Sequence, residues 1–181
     1  MEQSSRFISL SGFSGIIAGI TALLGAGYAH LIMTKAATVD NPYMVRISMH
    51  TVKHSTIQEL ILVGVVMLIV AITVGIALTV KKAKKNGQNI WGKTSRLLVF
   101  NLSLPLIAGG LFSLILIRHN LVGLIAPVTL LFYGLALFNA SKYTLNDIRY
   151  LGICEIILGL IGTYFIGYGL ILWAVGFGIL H

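Results

Sequence analysis

The sequence predicts an all-α fold, a polytopic transmembrane helical bundle of six spans, the last two short and paired as a helical hairpin. Three observations carry that expectation. Of 181 residues, 57% are hydrophobic and only 10% are charged, against roughly 45–50% and about 25% in an ordinary soluble domain. The apolar residues fall in runs long enough to cross a bilayer, whose core of about 30 Å needs about 20 residues of helix. The 13 Lys and Arg are concentrated between those runs. This composition excludes a soluble globule, a disordered chain and a disulfide scaffold, since Cys154 alone can form no internal disulfide. Residues 1–181 read as a single membrane domain.

Span one covers about 7–33 and is too long for a signal-peptide core of about 7–15 residues. Its small residues recur at spacing four, Ser11, Gly15 and Gly19 on one row and Ala18, Ala22 and Ala26 on another. Such rows let helix backbones approach closely in lipid, either within this chain or as a dimer face. Next, Asp40-Asn41-Pro42 has the N-cap and first-turn proline of a helix start. From there Tyr43, Ile47, His50, His54, Ile57 and Ile61 alternate spacings of four and three into span two, about 57–80. One helix is therefore expected from Tyr43 to Val80, with an outer extension over 42–56. Lys81, Lys82, Lys84 and Lys85 close the span, Asn86-Gly87 reads as a C-cap, and Trp91 sits near Lys93 and Arg96 as an interfacial anchor would.

Spans three and four, about 97–117 and 121–138, are separated by Arg118, His119 and Asn120 alone and should form a tight antiparallel hairpin. Pro105 and Pro127 lie inside them, where each should free a carbonyl and bend its helix. The final apolar stretch, 150–181, would be about 48 Å long as one helix, too long for one crossing without steep tilt. Gly167-Tyr168-Gly169 divides it into spans of about 151–165 and 169–181. Gly162, Gly169 and Gly176, at heptad spacing, read as packing positions. The stop at His181 without a charged flank suggests a last helix cut short.

With six spans, Arg6, the six cations between 81 and 96, Lys142 and Arg149 fall on one side, against Lys35, Arg46, Lys53 and Arg118 on the other. The positive-inside rule places the first group in the cytoplasm. The expectation is a multi-pass bacterial inner-membrane protein with its N-terminus inside; the side of the C-terminus depends on the break at Gly167–Gly169 being a true turn. The net charge of +8 is then topological and not a nucleic-acid signature. The expected partners are membrane lipid and either further copies of the chain or another membrane protein, with no nucleic acid.

Four polar features stand out. Glu155 lies inside span five with no Lys or Arg one turn away in its own span. A charge at that depth is costly, so it is either a proton or cation site, a gate, or a carboxyl hydrogen-bonded to a neighbouring helix. Glu59 follows Thr56 by three residues, which fits a capping box or an interfacial side chain as well as a site. Asn101 precedes Pro105 and could satisfy freed backbone or line a cavity. His50 and His54, four apart on one helical face, have a spacing that can hold a transition metal, and His30, His119, Met33, Met44 and Met49 fall on the same predicted side. The two histidines equally share a stripe with Ile47 and Ile57 that would pack on a neighbour. No metal-protease motif, P-loop, dinucleotide fingerprint or nucleophile triad occurs, so neither catalysis nor a cofactor is expected. Two functions remain: a non-catalytic interaction or sensor-type membrane subunit, and a small transporter or channel with Glu155 and Asn101 lining its path. A closed junction around Glu155 favours the first and a water-filled cavity reaching it the second.

Several stretches carry a resemblance: 9–15 (SLSGFSG) in span one, 81–87 (KKAKKNG) after span two, 139–152 (NASKYTLNDIRYLG) leading into span five, and Gly167-Tyr168-Gly169-Leu170 with 173–178 (WAVGFG) at the end. They resemble an uncharacterised multi-span inner-membrane family of Bacteroidetes. The resemblance covers most of the chain and implies a membrane location and members extended at both ends. It implies no activity and no site residues.

Overall fold

The computed structural model describes residues 12–37, 54–85, 92–144 and 146–180. These form six α-helices and no strand: α1 (Gly12–Ala37), α2 (His54–Lys85), α3 (Lys93–Arg118), α4 (Ile125–Ala140), α5 (Asn146–Tyr164) and α6 (Gly169–Ala174), which runs on into a π turn, Val175–Ile179. Four helical stretches are long and apolar enough to cross a membrane, Gly15–Lys35, Ser55–Ala77, Lys93–Arg118 and Val122–Tyr143; a shorter apolar one spans Ile166–Ile179. The fold is a helical bundle of membrane-protein character. Of the outer extension over 42–56, only 54–56 lies within the described residues, and it is helical.

The α3–α4 hairpin is as tight as its three-residue spacer requires. Asn120 takes φ 58°, a left-handed conformation that Asn tolerates better than most residues. Its N–H donates to Ile117 O at 3.0 Å and Leu121 N–H to Leu116 O at 2.9 Å. These are the two bonds of a Schellman motif, which satisfies carbonyls left open at the end of α3. A short 3₁₀ turn, Val122–Leu124, then leads into α4. Pro127 is therefore the third residue of α4, where a backbone N–H has no intrahelical partner to lose. The expected mid-span bend at Pro127 is corrected accordingly. Pro105 does lie inside α3, which continues through it. The chain reverses again after Tyr164 through the 3₁₀ turn Ile166–Tyr168, where the paired glycines mark the break.

The core lies where α4, α5 and α6 meet. α3 and α5 flank α4, α6 packs on both α4 and α5, the π turn meets α1, and α1 pairs with α2. α4 and α5 touch backbone to backbone. A Cβ on Gly134 would lie 2.6 Å from Gly152 O, and one on Gly152 would lie 2.8 Å from Gly134 O. Gly159 faces Leu131 N and Pro127 O, while Gly162 and Gly169 both abut the Pro127 ring. The heptad glycines are thus packing positions of this seam. On α3, Gly109 receives Phe132 of α4.

On α1, Gly19, Ala22, Gly25 and Ala26 are buried and Gly15 is half-buried, so the small-residue face of span one is used within the chain. Gly25 faces the flexible end of Met67 on α2, and Gly178 of the π turn faces the branched end of Leu23. Met67 has rotamers with which to withdraw. Gly25→Ala is expected to cost less than about 1 kcal/mol. Thermal melts of the purified variant in detergent should show a shift of no more than a few degrees.

Candidate functional site

The site is built on one face of α5. Gly152, Glu155, Gly159 and Gly162 recur at three, four and three residues, the spacing that keeps side chains on one face of a helix. The three glycines draw the backbone of α5 against its neighbours, so the Glu155 side chain occupies the seam between helices. It is 0% exposed, and with Leu130, Thr144 and Pro127 it is one of the largest fully buried side chains.

α4 supplies Leu130 and Tyr133, the latter within electrostatic reach of the Glu155 carboxyl. The π turn supplies Gly176, where a Cβ would fall on Glu155 Oε2 and on Leu130 Cδ2. Phe177, the next residue, packs its ring 4.7 Å from that of Tyr133 and 4.8 Å from that of Trp173. The turn closes with Leu180 N–H donating to Val175 O at 3.1 Å. Its wider five-residue repeat is an irregularity that recurs at functional sites.

The enclosing elements, α4, α6 and the π turn, contain no Lys, Arg or His. On α5 the nearest cation in sequence is Arg149, about 9 Å along the axis, exposed, with its guanidinium 5.4 Å from the Phe138 ring centroid. Cys154 and Tyr150 are exposed. A buried carboxyl beside a phenol can hold a proton or exchange hydrogen bonds. It offers no nucleophile activated by a base.

The other sequence-derived candidates are not brought to this junction. Asn101 is half-buried on α3, and its Nδ2 donates to Leu97 O at 2.8 Å. The carbonyl freed by Pro105 is that of Asn101 itself, one helical repeat of four earlier. The side chain therefore does not satisfy it, a correction to one of its two expected roles. α4 stands between the helices that carry Asn101 and Glu155. Glu59 is exposed near the start of α2, which packs on α1. His50 and the side chain of His54 lie outside the described residues; among those described, no three His, Cys, Asp or Glu gather to hold a metal. Gly15 and Gly19 belong to the packed face of α1.

The spacing of Gly152, Glu155, Gly159 and Gly162 was available in the sequence as a signal that Glu155 sits in a seam. Tyr133 and the π turn had no such signal. Within an apolar span a tyrosine reads like any other aromatic, and a five-residue repeat leaves no mark on composition.

The fold defines the class, a helical membrane protein. No family model, curated protein or solved structure matches the chain, so its function rests on its own geometry.

Proposed function

We propose that the chain is a non-catalytic inner-membrane subunit of interaction or sensor type that works by helix association, with α2 as its contact arm. The carrying observation is the state of α2. Its most apolar 18-residue window, within Ser55–Ala77, has no residue buried inside the chain. Gly64 and Gly75 on that helix have nothing within 4 Å among the described residues. They are eleven residues apart, about three turns, and share a face. Each glycine costs a helix roughly 0.5–1 kcal/mol relative to Ala. In a membrane, close approach of a second helix is what such residues permit. The nine-to-four distribution of Lys and Arg over the expected loops supports an inner-membrane placement with the N-terminus inside.

The transporter reading has less support. Its two path-lining residues stand on opposite sides of α4, and the amide of Asn101 is engaged with its own backbone.

The test is cross-linking in native membranes, in a Cys154→Ala background. Cys at 64 or 75 is expected to give a cross-linked adduct. Cys at Ile69, exposed but about 140° around the helix from Gly64, should not. Equal cross-linking at all three positions, or at none, would overturn the assignment of α2 as the arm.

A further inference from the structure

We propose that the start of α3 holds an anionic glycerophospholipid, its phosphate on Lys93 and Arg96 and an acyl chain along Leu97 and Phe100. An open cleft of about 470 Å³ lies there, and the described residues that line it are those four. They stand at spacings of three, one and three, so they share one face of the helix, about 100° wide. Charge and apolarity are sorted along that face. The two cations come first, and the two apolar side chains follow about a turn deeper. A phospholipid has the same order from headgroup to chain. The apolar stripe continues past the cleft, because Leu104 and Ile107 fall on the same face. Leu97, Phe100, Leu104 and Ile107 are all exposed. From Leu97 to Ile107 is about 15 Å of helix, the depth of one leaflet in a bilayer core about 30 Å thick. α3 is long and apolar enough to cross a membrane, and Lys93 is its first residue, so the cations stand at the level of the headgroups.

Charge selects among lipids. α3 itself contains no Asp or Glu. The antiparallel hairpin brings the 3₁₀ turn Ser141–Tyr143, which follows α4, against α3. Exposed Lys142 is thus a third cation at this end of the bundle, and Asp147, exposed in the first turn of α5, is an acid near it. A guanidinium can hold two phosphate oxygens at once, and an ammonium adds a point charge. A zwitterionic lipid presents the same phosphate with a cation of its own attached, which offsets that attraction. Basic pockets at the ends of membrane helices take anionic headgroups for this reason. A free phosphate would use the cations and leave the stripe bare, whereas a lipid uses both. The site lies on α3 and does not depend on α2 as the contact arm.

The test uses the full chain in a neutral detergent. It is titrated with phosphatidylglycerol or with phosphatidylcholine of the same acyl chains, and bound lipid is counted by native mass spectrometry. The first phosphatidylglycerol is expected to bind about tenfold more tightly than phosphatidylcholine. Lys93→Gln combined with Arg96→Gln should remove that preference. Lys81→Gln combined with Lys84→Gln on α2 removes the same charge and should leave it intact. All four side chains are exposed, so both double variants should melt like the parent. Glycerol 3-phosphate in large excess should not displace the lipid. Equal binding of the two lipids, a preference that survives Lys93→Gln with Arg96→Gln, or equal loss in both double variants would overturn the site. Displacement by glycerol 3-phosphate would make it a site for a free phosphate and overturn the lipid.

Discussion

Gly152→Val is expected to abolish the folded bundle. The first atom of any side chain at 152 would lie 2.8 Å from Gly134 O and 2.9 Å from Phe138 N. Both are backbone atoms of α4 with no rotamer to change. Relief requires the two helices to separate, and they are held close again at Gly159, against Leu131 N and Pro127 O. Separation along that length uncovers Leu130 and Glu155, both 0% exposed. Overpacking of this kind costs about 3 kcal/mol or more, a large fraction of the stability of a small domain. The check is the yield of monodisperse protein in detergent and its melting temperature. Gly110→Ala is the matched control, because Gly110 of α3 has nothing within 4 Å among the described residues; it should gain about 0.5–1 kcal/mol. A Gly152→Val protein that melts like the parent would refute the backbone contact.

The second large effect is expected at Gly176. Gly176→Ala places a methyl group against the Glu155 carboxyl and Leu130, and should cost about 2 kcal/mol. The collision with Glu155 can be removed from the other side. In a Glu155→Ala background the carboxyl is gone, and the remaining neighbour, Leu130 Cδ2, is the far end of a side chain that can turn. Gly176→Ala should then cost less, with a coupling of about 1 kcal/mol or more between the two sites. The double-mutant cycle is read from denaturation midpoints in detergent. Additive effects would mean that Gly176 and Glu155 do not share the contact.

The order of the elements was legible because hydropathy reports depth. Runs of apolar residues, a lysine cluster and a three-residue spacer each mark where the chain enters or leaves an apolar layer. The reversal near Gly167 followed from length, since the last stretch exceeds one crossing, and from the paired glycines that placed the break. What hydropathy does not report is azimuth. Lipid tails are as apolar as leucine, so a membrane helix needs no polar face to know which side is out. α2 and α4 read alike as apolar runs, yet the most apolar window of α2 has no buried residue, while α4 buries Pro127, Val128, Leu130, Gly134, Ala136, Leu137 and Ala140. The glycines were the partial exception. Their spacing around Glu155 discloses a face without naming what lies against it. Pro127 misled for a local reason: the apolar run begins at Leu121, but the α-helix begins at Ile125, which moves the proline from mid-span to first turn.

The Gly134–Gly152 contact also determines how the molecule can deform. Main chain pressed on main chain is a stiff joint, since neither surface has a torsion to spend. α4 and α5 therefore move as one piece. The contacts that carry α1 are of another kind: Leu23 against Gly178 of the π turn, and Met67 of α2 against Gly25, each the tip of a flexible side chain resting on bare backbone. These are compliant joints. A side-chain tip can shift to a neighbouring rotamer without moving the main chain, so the seating of α1 can adjust where the α4–α5 seam cannot.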